Sequence, residues 1–234
     1  MDLYKTLADR AAEDGAFISL IGGGGKTTLM VKLASYLRNV GNRVLITTTT
    51  RLMSPRFHNY MIDRFFCDNS VLSFVPEDPC SVLYALESED RKNKVCCPPI
   101  ENLDLLRSRY DVIINEADGS KRLPLKVHTR RDPVIPPFTT YTISVMGLWG
   151  IGKRTPEVVF GESRDLVVDE NYLQWYLDND EGLLKGSLPG QRAIVFNGAE
   201  DFEDTSILKN LKYPDDVFVC TASEQKGELY EQIQ

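Results

Sequence analysis

The chain has 234 residues, 42% apolar and 26% charged, an ordinary balance for a globular protein large enough to bury a core without disulfides or a structural metal. Its formal charge of −7 argues against nucleic acid or an anionic membrane surface as the main partner. Its apolar runs, such as Ala16 to Gly25, are too short to span a bilayer. The opening Met1-Asp2-Leu3-Tyr4-Lys5-Thr6 lacks the basic start and apolar centre of a secretory leader. The cysteines number five and include no Cys-x-x-Cys pair, so a cytoplasmic, reducing setting is expected. Cys67, Cys80 and Cys220 read as buried thiols, and the adjacent Cys96 and Cys97 would face opposite sides of a strand, poorly placed to share a metal.

In chain order, Leu3, Leu7, Ala8 and Ala11 recur at helical spacing and predict a short helix over 2–13. Ala16 to Ile21 is an apolar run ending in glycines, a buried-strand signal. Leu29, Leu33, Tyr36 and Leu37 then mark a helix from Lys26 to Val40, closed by Gly41. Arg43 to Thr48 reads as the next strand, so the chain opens as a βαβ unit with parallel pairing. Helices are predicted over Ser81 to Glu89, Glu101 to Tyr110 and Leu166 to Leu177, with a last one near Glu224. Strands are predicted at Val112 to Asn115, Tyr141 to Met146, Ala193 to Phe196 and Val217 to Cys220. Four prolines between 123 and 138 predict an extended, loop-rich connection. This alternation predicts one α/β domain over residues 1–234, a three-layer P-loop NTPase-like sandwich around a mostly parallel sheet.

The strongest motif is Gly22-Gly23-Gly24-Gly25-Lys26-Thr27-Thr28, where a strand turns into a helix. Glycines let the backbone approach phosphate without Cβ clashes, and the helix start adds unpaired N–H groups and a positive dipole end. Lys26 can reach the terminal phosphates, and the Thr27 hydroxyl can bind Mg²⁺. The usual pattern has a glycine six residues before the lysine, where this chain has Leu20. The shorter loop is similar to the compact loops of the Mur-ligase family.

A P-loop needs a carboxylate on a neighbouring strand for Mg²⁺ or its waters. Glu116 and Asp118 point to one side of an extended chain. Asp118 is expected in the metal's shell and Glu116 on the metal's waters or polarising an attacking water, and the two roles are interchangeable at this level. Thr48 and Thr49, at the carboxyl end of the second strand, are candidates to meet Mg²⁺ or the γ-phosphate. Lys121, Arg122 and Lys126 can lean toward the γ-phosphate or an anionic second substrate, or simply form a solvated basic loop. His58 and His128 have no partner spacing and read as loop or surface residues.

Ile21 to Thr28, Thr47-Thr48-Thr49-Thr50-Arg51, and Glu116-Ala117-Asp118-Gly119-Ser120-Lys121-Arg122-Leu123-Pro124-Leu125-Lys126 together resemble the YqeC-like family of accessory proteins of selenium-dependent molybdenum hydroxylases. Pro133 to Pro136 and Asn197 fit too, so the resemblance covers about residues 15 to 200. It implies a P-loop NTPase fold, Mg²⁺ with ATP or GTP as cofactors, and a selenium- and molybdenum-containing hydroxylase or its maturation factors as partners. Relatives are expected to carry Asn-Lys-x-Asp after the late strand, like the guanine-reading motif of GTPases. Here the segment is Asn197-Gly198-Ala199-Glu200-Asp201, without the lysine, which leaves ATP and GTP both open. Three functions therefore stand: a Mg²⁺-dependent, nucleotide-hydrolysing accessory protein, a small-molecule kinase or ligase, and a nucleotide-gated interaction module with negligible turnover. Lys26 is expected to project into the site, so that its removal spares the apo fold.

Overall fold

A computed structural model describes every residue except 13, 14, 78 and 203. The first elements are α1 (Leu3–Arg10), β1 (Ala16–Gly22), α2 (Lys26–Asn39), β2 (Arg43–Thr48), β3 (Arg51–Met53) and β4 (Arg64–Phe66). Next come β5 (Cys80–Tyr84), β6 (Leu86–Glu87), β7 (Lys94–Cys96), α3 (Ile100–Leu106), β8 (Val112–Glu116), β9 (Leu125–Lys126) and β10 (Tyr141–Gly147). The chain continues through α4 (Thr155–Val158), β11 (Val159–Phe160), α5 (Glu170–Asp178), β12 (Arg192–Asn197), α6 (Ser206–Lys209), β13 (Val217–Ser223) and β14 (Glu228–Gln232). The predicted end of the first helix, at residue 13, lies outside the described residues.

The main sheet has nine strands in the order β14-β13-β12-β10-β1-β8-β2-β5-β4. All neighbours pair in parallel except β13 with β14 at one edge. Strand side chains alternate between faces, and the core follows that period. Ile18, Leu20, Ala193 and Val195 face the layer of α1 and α2. Phe17 packs on the opposite face with Leu103 and Leu106 of α3, and Ile194 and Phe196 pack there with Leu173 and Tyr176 of α5. Helices therefore cover both faces of a mostly parallel sheet, the expected α/β sandwich. A separate sheet, β3-β7-β6, stands beyond the carboxyl end of β2.

Several expectations fail locally. The segment Ser81 to Glu89 is not a helix but β5 and β6. Val82 and Tyr84 pack on the α3 side and Leu83 on the α1/α2 side, so a short run apolar on both faces imitated a helical stripe. The chain after Glu224 forms β14, not a helix. Only Leu229 of that strand is buried while Glu228 and Tyr230 are exposed, the alternation of an edge strand. The helix predicted from Leu166 starts at Glu170, because the Asp169 carboxylate accepts from the Tyr172 amide at 2.9 Å, while Val167 bridges Arg154. The helix predicted to reach Tyr110 stops at Leu106. Cys220 is buried as expected, but Cys67 is exposed.

Candidate functional site

The glycine run lies between the end of β1 and the start of α2, at the carboxyl edge of the sheet between β8 and β10. Gly24 has φ +71, and a Cβ there would overlap the backbone N and Cα of Gly147. Only a residue without Cβ fits that approach. Three glycine amides are already satisfied: Gly22 donates to Asp118 Oδ2 at 2.9 Å, Gly23 to Val145 O at 2.8 Å and Gly24 to Leu123 O at 3.0 Å. The first intrahelical bond runs from Leu29 N to Gly25 O. The amides of Gly25, Lys26, Thr27 and Thr28 thus form the open helix N-terminus, with no side-chain cap on Gly25. The open edge is these four groups, and the preceding glycines hold it in place.

Lys26 is buried, 4% exposed. Its Nζ donates to the Gly22 carbonyl and forms an ion pair with Asp118 Oδ1 at 2.9 Å. Asp118 is fully enclosed; besides Gly22 and Lys26 it accepts from His128 Nε2 at 2.6 Å, and Lys126 Nζ lies 4.0 Å away. Burial alone would raise its pKa, but Lys26, His128 and Lys126 outweigh it and hold the carboxyl well below the usual range. Glu116, two residues earlier, accepts from Thr27 Oγ1 at 2.7 Å. Burial pushes its pKa up, only partly offset by Lys26 and Thr27.

A hollow of about 520 Å³ opens over this edge. Gly24 to Thr28 and Glu116 form its floor, Gly119 to Arg122 one wall, Arg51 to Met53 with Lys94 another, and Phe57, His58 and Trp149 its rim. Glu116 faces the hollow, whereas Asp118 does not line it. Lys121 and Arg122 line it from a backbone with φ +51 and +67, a left-handed pair uncommon for residues with side chains. Oxygen donors at Thr27 and Glu116 suit Mg²⁺, which keeps several waters and takes its remaining ligands from phosphate. Among the described residues no group of three or more His, Cys, Asp or Glu could hold a metal. A larger hollow of about 980 Å³ lies at the amino ends of the strands, near Arg43 and Asp111, the wrong edge for a ligand of an open α/β sheet.

The remaining predicted residues fall on either side of this boundary. Asn197 does not line the 520 Å³ hollow; its Nδ2 donates to Gly24 O at 2.8 Å and its Oδ1 accepts from Glu224 N at 3.0 Å, so it ties the glycine loop to the end of β13. Thr48 and Thr49 donate to the carbonyls of Glu116 and Val134, at 2.9 and 2.5 Å, and turn away from the hollow. Lys126 is buried, 1% exposed, donates to Gly119 O at 2.7 Å and pairs with Asp132. His128, expected at the surface, is buried between Asp118 and the Gly182 carbonyl, which lies 2.8 Å from Nδ1; His58 is exposed. Spacing carried no signal for His128, because its partner lies ten residues upstream across an irregular loop. Burial pushes the Cys97 thiol up to about 11, the reverse of a reactive thiolate.

Among the described residues no helix is long and apolar enough to cross a membrane. The model of one protein family, described as "YqeC protein", matches residues 18–162. Among curated proteins, the "Uncharacterized protein YqeC" of Escherichia coli (strain K12) is 36% identical over 140 residues, 58% of this chain and 54% of that protein. The matched region thus spans about half the length of that relative. No solved structure matches the chain. The matched span holds the glycine loop, both carboxylates and the basic wall of the hollow, and the chain belongs to the YqeC family.

Proposed function

We propose that this chain binds a magnesium nucleoside triphosphate at Gly22 to Thr28 and hydrolyses it, as an accessory step in maturing a selenium-dependent molybdenum hydroxylase. The observation that carries the nucleotide reading is the open N-terminus of α2, four unpaired amides beside a buried lysine and a Thr27–Glu116 pair, all under one hollow. That arrangement supplies amide donors, a cation and oxygen metal ligands within a phosphate's reach. The client rests on the family resemblance alone.

In this reading Thr27 and Glu116 hold the metal, because Glu116 lines the hollow. Asp118 is a positioning residue that fixes Lys26 and the Gly22 amide. The ion would neutralise phosphate charge. Lys26 and the amides of Gly25 to Thr28 orient the β- and γ-phosphates, and Lys121 and Arg122 stand at the open side where charge develops. Hydrolysis breaks the terminal P–O bond, adds water to the γ-phosphorus and leaves the nucleoside diphosphate and inorganic phosphate.

The cations Arg51, Lys94, Lys121 and Arg122 that line the hollow favour a second reading, phosphoryl transfer to an anionic small molecule. Single-turnover phosphate release with Mg²⁺ and ATP or GTP, with and without phosphorylated acceptors, separates the two. Acceptor-independent release supports hydrolysis, and product formed only with an acceptor supports transfer. Absence of nucleotide binding by calorimetry overturns both. Long time courses are required, since unassisted P-loop hydrolysis runs as slowly as about 10⁻⁴ per second.

A further inference from the structure

The small sheet at the hollow presents a wall that the phosphate floor does not require. β3 and β7 pair antiparallel, with Leu52 opposite Val95 and Met53 opposite Lys94. Residues opposite one another, and residues two apart, share a face of such a ladder. Leu52 and Val95 therefore share one face, and both are buried in the core on the α1/α2 side. Arg51, Met53 and Lys94 share the other, and all three line the hollow. The chain after β3 is pinned by Tyr60 Oη, which donates to Met53 O at 2.8 Å. A turn there, with Phe57 N donating to Ser54 O at 2.8 Å, carries the Phe57 ring to the rim, 66% exposed.

The charges around the hollow are unbalanced. Lys26 is offset by Asp118 at 2.9 Å, and Arg51 by Asp90 at 3.0 Å. Among the described residues, Lys94, Lys121 and Arg122 enter no ion pair. Three uncompensated cations thus face one hollow in a chain of net charge −7. A magnesium triphosphate does not call for all of them, because the metal itself offsets half of its charge. The open amides of α2, Lys26 and the Lys121–Arg122 turn serve it. That turn is closed by Leu123 N to Ser120 O at 3.0 Å, and its left-handed central pair is the kind of strain kept where side-chain placement matters. Lys94 stands elsewhere. Glu116 ends β8, which lies between β1, with its glycine loop, and β2, which leads into the small sheet. The β3–β7 wall is therefore across Glu116 from the phosphate floor, and Lys94 is near enough to lower the Glu116 pKa.

We infer that this wall is a second anion subsite, beside the nucleotide's, for a phosphorylated small molecule: its phosphate on Lys94 and Arg51, and an apolar group against Met53 and Phe57. A guanidinium and an ammonium on one face suit a phosphate group. The flexible thioether of Met53 adapts to varied apolar shapes, and Phe57 offers an open ring. Two anions in one hollow repel each other, so the second needs cations of its own. The inference rests on the nucleotide reading above and supplies a place for the second anion that the transfer form of that reading needs.

The test is calorimetric titration of the full chain with phenyl phosphate, methyl phosphate or benzoate, with and without saturating Mg²⁺ and the β,γ-imido analogue of ATP or GTP. Phenyl phosphate should bind one-to-one to the nucleotide-loaded protein. Methyl phosphate should bind about tenfold more weakly for want of the apolar group, and benzoate more weakly because it carries less charge. Lys94→Ala should weaken phenyl phosphate by about tenfold or more, the loss of one charge-assisted contact, and leave the affinity for the nucleotide analogue unchanged, which also shows that the variant folds. Phe57→Ala should weaken phenyl phosphate and spare methyl phosphate. Competition between phenyl phosphate and the nucleotide analogue, no binding of phenyl phosphate to the loaded protein, or equal weakening of both ligands by Lys94→Ala overturns the inference while leaving the nucleotide site standing. Benzoate binding as tightly as phenyl phosphate overturns the phosphate assignment. A wild type that binds phenyl phosphate through Lys94 but no nucleotide overturns the nucleotide reading and keeps the wall as an anion subsite.

Discussion

His128 Nε2 lies 2.6 Å from Asp118 Oδ2, and both residues are buried. The same carboxylate receives the Gly22 amide and faces Lys26, so the ring is one bond removed from the lysine proposed to meet phosphate. The other ring nitrogen faces the Gly182 carbonyl, in the turn after α5. His128→Ala should therefore act at a distance. It removes a buried hydrogen bond to a charged group, a loss of about 2–3 kcal/mol, and it loosens the carboxylate that aims Lys26. Urea unfolding should show the stability loss, and titration with magnesium nucleotide a weaker affinity. A variant as stable and as tight as the wild type would make the contact incidental.

The two carboxylates should pull the pH dependence of stability in opposite directions. Asp118 is held below the usual range by its cations. Its contribution is complete above the unfolded value, near about 4, and is lost as pH falls toward the folded value. Burial raises Glu116, so the cost of ionising it is absent below the unfolded value, about 4.3, and grows as pH rises through the folded one. The wild type should lose stability steeply below about pH 4. Asp118→Asn should flatten that acid limb in a series of urea melts, and an unchanged limb would show that other carboxylates govern it.

Glu116→Gln should separate stability from turnover. The neutral amide still offers an oxygen to Thr27 Oγ1 and no longer has to be ionised in a buried site. The apo protein should melt slightly higher than the wild type, while turnover falls more than nucleotide affinity does. Functional groups held at a stability cost behave this way. A lower melting temperature with unchanged turnover would mark Glu116 as structural.

What could be read in advance follows from what kind of signal each feature leaves. Local features left one. The β1–loop–α2 unit is contiguous, and Leu29, Leu33 and Leu37 keep a helical period that the fold buries as expected. Features made by the folded sheet left none. Asn197 meets Gly24 across 173 residues of chain, and Trp149 acquires its place from the Gly147 and Gly198 backbones. The spacing of Glu116 and Asp118 was legible, but their division was not. Glu116 closes β8 and faces the hollow, whereas Asp118 lies beyond the strand, enclosed by Lys26 and His128. The helix expected at Ser81 shows the limit of periodicity, since a strand buried on both faces carries no stripe of its own.

Lys26→Ala should do two things, where the sequence suggested one. Because Lys26 is buried against Asp118 rather than projecting free, its loss leaves that carboxylate to His128 and the more distant Lys126. Breaking one side of a buried pair costs about 3 kcal/mol, so the apo variant should itself be less stable. The stabilisation by ligand at a hundred times its dissociation constant, about 2.7 kcal/mol, should also vanish. The double variant Lys26→Met with Asp118→Asn restores neutrality and separates the effects. It should recover apo stability without recovering ligand-induced stabilisation in thermal melts. Recovery of both would place the phosphate contacts elsewhere.

Gly24 and Gly119 give the most direct test of the loop. Both line the hollow, but their surroundings differ. A methyl on Gly24 meets the backbone of Gly147, and its φ of +71 disfavours any side chain. No rotamer change relieves contact with a strand-end backbone, so the loop itself must move, and with it the bond from Asn197 and the amides of the α2 terminus. Gly24→Ala should cost more than the roughly 1 kcal/mol typical of an ill-placed alanine and abolish ligand-induced stabilisation. A Cβ on Gly119 meets nothing within 4 Å, so Gly119→Ala should leave the melting temperature within a degree or two of wild type. Equal tolerance at the two positions would mean that the loop is not held against β10, and the four amides would lose the fixed geometry on which the proposed phosphate binding depends.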